Sequence, residues 1–246
     1  MNRVVASIEA RMGSSRFPGK VLADVCGQPA LTRLARRLRR CKTVHAVVLA
    51  TSTAPADDAL ETWAQTEGVA CYRGSETDVL GRVVDAQRTA GGEIVVEVTG
   101  DSVLTDPEII DLGVNTFRMN DCDIVTNVRR PAFPMGTDVQ VFRLSDLIEI
   151  ERTVGDPAVR EHVSLYFYEH PERYRIVHLY PPARWYGPEL RFQLDYVEDL
   201  RFITEVYRRL EPTYGDAFGL HEIMTVLRRE PALAEINRHC LDKAPR

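Results

Sequence analysis

The chain has 246 residues, a formal net charge of −5, 44% hydrophobic and 27% charged residues. This is ordinary globular composition, long enough to bury a large core without staples, and its acidic balance argues against nucleic acid as the main partner. Five widely spaced cysteines with no CxxC pair suggest neither a zinc site nor a disulfide framework, and no apolar run reaches the about 18 residues that a membrane helix needs or the form of a secretory leader, so a reducing, cytoplasmic protein with no membrane partner is expected.

Residues 4–8 form a short apolar, β-branched run that empties into a Gly, Ser and Arg cluster, the pattern of a buried strand followed by a loop. Residues 29–40 read as a helix with Leu31, Leu34, Ala35 and Leu38 on one face and arginines opposite. Strands are expected at 46–51, 69–72 and 94–99, and helices at 57–67, 78–90 and 107–119. Gly91 and Gly92 stop the third helix, and Asp106 caps the fourth just ahead of Pro107. Strand and helix alternate four times with short connections, which predicts a mostly parallel sheet with helices on both faces. Ligands of such sheets bind beyond the carboxyl ends of the strands, which directs attention to the loops after Ile8, Thr51, Tyr72 and Thr99.

Beyond about residue 129 the rhythm changes. Strands are expected at 139–142, 174–179 and 190–194, and helices at 144–153, 161–169, 197–210 and 220–229. Residues 1–246 are read as one domain, with 130–188 an excursion for substrate binding or dimerisation. Seven aromatic residues from Tyr166 to Tyr186 in that excursion suit a subunit interface, so a homodimer is expected.

Three segments carry chemistry. In the run ARMGSSRFPGK (10–20), Gly13 lets the backbone approach a ligand, the amides of Gly13 and Ser14 can face phosphate oxygens, and Arg11, Arg16 and Lys20 place three cations within ten residues. It is neither a GxGxxG fingerprint nor a Walker A loop. Asp101, at the end of the fourth strand, suits a magnesium ion that also binds substrate phosphates. Asp195 ends the 190–194 segment in the same way and could converge on that metal, although a helix cap explains it equally well; Glu198 and Asp199 suit a helix dipole.

These residues resemble the cytidylyltransferases that activate acidic sugars, the 3-deoxy-manno-octulosonate and N-acylneuraminate enzymes, and above all the spore-coat polysaccharide biosynthesis protein F branch. The resemblance continues through GSETDVLGR (74–82), VTGDSVLTDPEIID (98–111), FPMGTDVQVF (133–142), REHVSLYFYEHPERY (160–174) and LRFQLDYVEDL (190–200). It implies a Rossmann-like fold of the nucleotide-diphospho-sugar transferase type and transfer of CMP from CTP to a nonulosonate-like sugar acid or another small anionic acceptor. It further implies that Arg11, Gly13, Ser14, Arg16 and Lys20 hold the triphosphate, that Thr51, Ser52 and Arg73 lie near the cytosine or ribose, and that Arg82, Asp106, Glu161 and His162 face the acceptor. Asp101 and Asp195 would bind Mg²⁺, and Arg16, Lys20 and Asp101 would act in catalysis. Gln193 stands where acidic-sugar enzymes often carry the first Asp of a DxD pair, and Gln140 where Glu is usual. Two other enzyme readings remain open: a phosphonate cytidylyltransferase, and a metal-dependent glycosyltransferase, which would not need three cations in the first loop.

Overall fold

The computed structural model describes residues 2–240. Its strands are β1 (Val4–Glu9), β2 (Asp24–Val25), β3 (Gln28–Pro29), β4 (Ala46–Ser52), β5 (Ala70–Gly74), β6 (Ile94–Thr99), β7 (Ile124–Thr126), β8 (Gln140–Arg143) and β9 (Ile176–His178). Its α-helices are α1 (Ala30–Leu38), α2 (Asp58–Glu67), α3 (Val79–Ala90), α4 (Pro107–Met119), α5 (Leu144–Thr153), α6 (Pro157–Glu161), α7 (Leu165–Glu169), α8 (Val197–Tyr214) and α9 (Leu220–Arg229).

Seven strands form one sheet in the order β5-β4-β1-β6-β8-β7-β9, while β2 and β3 make a separate small hairpin. The four strands of the first half pair in parallel, β8 runs antiparallel to both β6 and β7, and β9 returns to parallel pairing with β7. The fold is therefore α/β with a mostly parallel, Rossmann-like sheet, as the alternation predicts. From β1 the chain moves outward through β4 to β5 and then crosses back to β6 on the other side of β1. That reversal opens a crevice between the loops after β1 and β6, where ligands of open sheets bind.

The strands are buried on both faces, which is why they read as continuous apolar runs. Val4, Ala6 and Ile8 of β1 point into a core shared with α1, α2, α4, α8 and α9. Val5 points the other way, into a core built with α3, α5, α6 and α7. The period of two thus assigns each position of β1 and β6 to one face.

Several expectations change. Residues 190–194 do not form a strand; one bridge joins Met135 to Arg191, and the Leu194 amide donates instead to the Asp101 carbonyl at 3.0 Å. The segment is laid across the loop after β6 rather than into a ladder. The helix expected at 161–169 is two short helices, α6 and α7, because His162 is extended (φ −116, ψ 96) and Ser164 turns inward to donate to Gln140 Oε1 at 2.6 Å. Within the 130–188 excursion, 140–143 and 176–178 supply two strands of the sheet. Of its aromatic residues, Phe167 and Tyr174 pack together in the core with ring centroids 4.7 Å apart, while Tyr180 and Tyr186 are exposed.

The arginines of α1 are also unlike their expected solvent-facing arrangement. Arg33 and Arg37 are buried. Arg33 donates to the carbonyls of Val25 and Cys26 and pairs with Glu211 and Asp216, its guanidinium lying 4.5 Å from the Tyr207 ring centroid. Arg37 donates to the Thr105 carbonyl and stacks over Phe218. For Arg33, carbonyls and carboxylates from distant segments make this burial tolerable; Arg37 has only the one carbonyl and the ring face, its Nη1 and Nη2 finding no acceptor among the described residues, and none of these partners is visible in the helical periodicity.

Asp106 joins two helices. One carboxylate oxygen accepts the Glu108 amide at 2.7 Å, capping α4, and the other accepts the Leu220 amide at the start of α9. Asp106→Ala removes both caps and is expected to lower stability by about 2 kcal/mol, read as a lower midpoint in urea unfolding.

Candidate active site

The loop after β1 is folded by its own carbonyls. Ser14 and Gly19 amides both donate to the Met12 carbonyl, at 2.9 and 3.0 Å, so the Ser14 amide is turned inward rather than presented to a ligand. Gly19 adopts φ 73, which a side chain disfavours, and the turn starts the short 3₁₀ segment that carries Lys20. Asp57 anchors the loop from outside, accepting the Met12 amide at 2.6 Å and the Ser52 hydroxyl.

The loop delivers Lys20 between two carboxylates. Lys20 Nζ donates to Asp101 Oδ2 at 2.6 Å and to Asp195 Oδ1 at 2.7 Å. Asp195 also pairs with Arg16 at 2.7 Å and Arg191 at 3.0 Å, while Asp101 accepts from Thr99 Oγ1 at 2.6 Å and from Gln193 Nε2 at 3.3 Å. Two carboxylates more than ninety residues apart in the chain thus meet at one point at the carboxyl end of β6. Burial lowers the lysine pKa and raises that of Asp195, but the opposing charges outweigh it: Lys20 is raised by Asp101 and Asp195, and Asp195 is lowered by Lys20, Arg16 and Arg191. Lys20 and Asp195 therefore both stay ionised near neutral pH.

Behind Asp195 lies a second layer of buried polar residues. Arg191 Nε donates to Asp199 Oδ1 at 3.0 Å. The other Asp199 oxygen accepts the amides of Asp195 and Tyr196, both at 2.9 Å. Asn237 Nδ2 donates to Asp199 at 2.8 Å and to the Arg191 carbonyl at 2.9 Å. Asp199 therefore holds the backbone of Asp195 in place, a task beyond the helix-dipole role its first-turn position suggests. The guanidinium of Arg16 also lies over the Tyr196 ring, 5.2 Å from its centroid. Gly136, at φ 86, lets its loop press on this segment: a Cβ there would meet the Gln193 nitrogen at 2.5 Å.

The remaining expected site residues divide. Arg11, at the rim, comes within 3.9 Å of Glu161 at the end of α6, and His162 follows at the break between α6 and α7. Arg82 is buried on α3 and donates to the Ser75 carbonyl at 2.7 Å. Arg73 is committed within the loop after β4: it donates to the Ser52 and Ala54 carbonyls and pairs with Asp58 and Glu61. Thr51 and Ser52 are fully buried, so their side chains face the protein. Asp106 is buried, with both oxygens engaged in capping, and is a structural residue rather than one facing an acceptor. Gly13 remains open, with nothing within 4 Å of where its Cβ would stand.

Two glutamates were missed altogether. Glu9 ends β1 and Glu97 lies in β6, both on the α3 side of the sheet. Burial, and then Glu97, push Glu9 well above the usual carboxylate range. Burial, with Asp138, raises Glu97 to about 8, the neighbouring Ser164 and Gln140 side chains opposing the shift. The clue in the sequence is a charged residue at an inward position of each apolar strand.

Residues 5–219 match the cytidylyltransferase family, and the chain belongs to that family of nucleotidyltransferases. It is 32% identical to the spore coat polysaccharide biosynthesis protein SpsF of Bacillus subtilis, over 95% of this chain and 98% of that protein. It is 31% identical to a 3-deoxy-manno-octulosonate cytidylyltransferase of Nitratidesulfovibrio vulgaris, over 82% and 87% of the two chains. A cytidylyltransferase structure from Leptospira borgpetersenii superposes with a TM-score of 0.90 at 28% identity, covering 99% of this chain and all of that one. A CMP-2-keto-3-deoxy-manno-octonic acid synthetase complexed with CTP shares the fold at a TM-score of 0.62 and 17% identity, over 84% and 99% of the chains. Among the described residues no helix is long and apolar enough to cross a membrane.

Two outcomes follow from this geometry. Asp199→Ala removes the acceptor of Arg191 Nε, leaving that buried guanidinium to Asp195 alone, and frees the Asp195 backbone; a loss of about 3 kcal/mol is expected in denaturant unfolding. For Glu97, the unfolded chain gives up a proton near the ordinary 4.5 that the folded protein keeps to about 8. Stability therefore falls as pH rises through that window. Glu97→Gln cannot ionise, so its stability relative to the wild type should rise between pH 5 and pH 9, as measured by urea unfolding at the two values.

Proposed function

We propose that the protein transfers a cytidylyl group from CTP to a small anionic acceptor, of which a nonulosonate-like sugar acid is the leading class, and releases pyrophosphate. The observation that carries this reading is the meeting of Lys20 and Arg16 with Asp101 and Asp195 at the switch point of the sheet. The family match and the names of the relatives, which act on 3-deoxy-manno-octulosonate or serve spore-coat polysaccharide synthesis, support the same chemistry.

An acceptor oxygen attacks the α-phosphorus, a new P–O bond forms, and the α–β bridging bond breaks with its electron pair leaving on pyrophosphate. A hydroxyl acceptor loses its proton to solvent; a phosphonate or carboxylate oxygen has none to lose. Arg16 and Lys20 bind the departing phosphates, Arg11 holds the triphosphate at the rim, and Arg82, Glu161 and His162 line the acceptor side. The work is positioning and charge neutralisation.

This reading implies a magnesium ion, and the donor set fits one. Asp101 and Asp195 both reach within 2.7 Å of one cationic atom, Lys20 Nζ, and hard carboxylate oxygens are the ligands Mg²⁺ selects. Bound to them, the ion supplies charge neutralisation for the triphosphate. Lys20 then exchanges its two carboxylates for phosphate oxygens, so it keeps an anionic partner before and after CTP enters. Cytoplasmic location and a homodimer belong to this proposal too; exposed Tyr180 and Tyr186 offer contact surface for a second subunit.

The test is pyrophosphate release with CTP, ATP, GTP or UTP, Mg²⁺ and a panel of sugar acids and phosphonates. Release is expected with CTP, and Asp101→Ala or Lys20→Ala should slow it by about 10²–10³-fold. Neither release nor calorimetric CTP binding by the wild type would overturn the proposal.

A further inference from the structure

Among the described residues, several buried polar atoms on the α3 side of the sheet have no hydrogen-bond partner; besides Gln87 Oε1, which lies near the amino end of the strands beside Gly92, four lie toward the carboxyl end: Ser7 Oγ, Glu9 Oε1, Glu97 Oε2 and Arg82 Nε. They belong to one patch. Ser7 and Glu97 are register partners on β1 and β6, and Glu9 pairs in register with Thr99. Ser7, Glu9, Glu97 and Thr99 share the face of Val5 and Val95, against which α3 packs. Ser7, Arg82 and Glu97 are each at least nine-tenths buried, whereas Glu9, Thr99 and Asp101 are partly exposed. The patch therefore opens at the carboxyl ends of the strands, beside the reacting centre: the Thr99 hydroxyl donates to Asp101 at 2.6 Å, and the charge of Asp101 acts on Glu9.

Buried polar atoms without partners are costly to a fold unless something else satisfies them. The chemistry of that partner can be read from the patch. Three of the four orphan atoms are oxygens and only one is an N–H. The charges are equally lopsided, because Glu9 feels Glu97 and Asp101 and Glu97 feels Asp138, while Arg82 is the opposing cation. A second carboxylate placed here would be repelled. A hydroxyl would supply hydrogen bonds but no positive charge to let Glu97, which otherwise keeps its proton to about 8, ionise. An ammonium group supplies three donors and a positive charge together.

We propose that the acceptor carries a primary amino group, held as ammonium by Glu9 and Glu97, at the end remote from the anionic group that reacts near Asp101. This deepens the cytidylyltransfer reading and rests on it. The substrate class becomes a zwitterion, an amino sugar acid with a free amine or an aminoalkyl phosphonate, rather than a polyhydroxy acid or its N-acyl derivative. Neighbouring side chains agree with that polarity: Gln140 Oε1 accepts from Ser164 and Tyr168 at 2.6 and 2.5 Å, which fixes its amide beside Glu97 without adding a cation.

The experiment is calorimetry on the protein saturated with Mg²⁺ and the non-transferable donor α,β-methylene-CTP, using two matched pairs of probes. One pair is 2-aminoethylphosphonate against ethylphosphonate, and the other is the methyl glycoside of neuraminic acid, in which the blocked keto group cannot consume the amine, against the same glycoside N-acetylated. In at least one pair the free amine is expected to bind ten times more tightly or better than its partner. Glu9→Gln and Glu97→Gln, which keep shape and lose charge, should each reduce that ratio below threefold, with α,β-methylene-CTP affinity serving as the check that the variants are folded. Equal or weaker binding of the amines in both pairs, or no binding of any probe while the nucleotide binds, would overturn the ammonium site and leave cytidylyl transfer standing. Failure of the nucleotide itself to bind would overturn both.

Discussion

Asp101 and Asp195 come from opposite ends of the chain and their carboxylates meet at one lysine nitrogen, 2.6 and 2.7 Å away. Two like charges in a partly desolvated crevice repel strongly, and the repulsion grows as the effective dielectric falls. Lys20, Arg16 and Arg191 balance it. The rest of the architecture can be understood as what places those three cations: a loop folded tightly on the Met12 carbonyl to aim Lys20 and Arg16, and an extended segment laid across the β6 loop to bring Arg191 and Asp195. Under the proposed function, such a mixed cluster would exchange partners, the cations meeting an arriving triphosphate and the carboxylates a metal.

The supporting layer is built for rigidity. Asp199 accepts four hydrogen bonds, from Arg191, Asn237 and two backbone amides, and is fully buried. Asp57 performs the same service for the first loop, tying the Met12 amide to the Ser52 hydroxyl. Neither carboxylate touches the centre. Each converts a flexible connection into a fixed one, and a buried charge with all its partners present is hard to displace because moving it would strand those partners.

The two faces of the central strands serve different ends. On the side of α1, α4 and α8 the residues of β1 and β6 are apolar throughout. On the α3 side, apolar residues give way toward the carboxyl end to Ser7, Glu9, Glu97 and Thr99. Structures at 12–17% identity retain the fold with TM-scores of 0.55–0.65, so the frame tolerates very different sequences. Acceptor choice in such a fold resides in a few inward-pointing side chains rather than in the sheet.

The alternating strands and helices of the first half were legible because each strand is buried on both faces and each helix carries a stripe, so local pattern and tertiary environment agree. The cation-rich first loop and Asp101 were legible for a related reason, since their chemistry is compact in sequence and follows directly on buried strands. Tertiary structure alone decided what depends on distant partners. Residues 190–194 look like a strand, but their backbone bonds to the loops at 101 and 135. Asp106, Thr51 and Ser52 look available for ligands and are held inside the protein, and the partly exposed Arg73 is spent on carbonyls and carboxylates of its own neighbourhood. Arg33 and Arg37 look exposed and are buried, because carbonyls and aromatic rings from residues 25 to 218 converge on them. The amino acid sequence by itself determined the period and the class of chemistry; only the folded chain determined which charges meet, because pairing across ninety or more residues has no local signature.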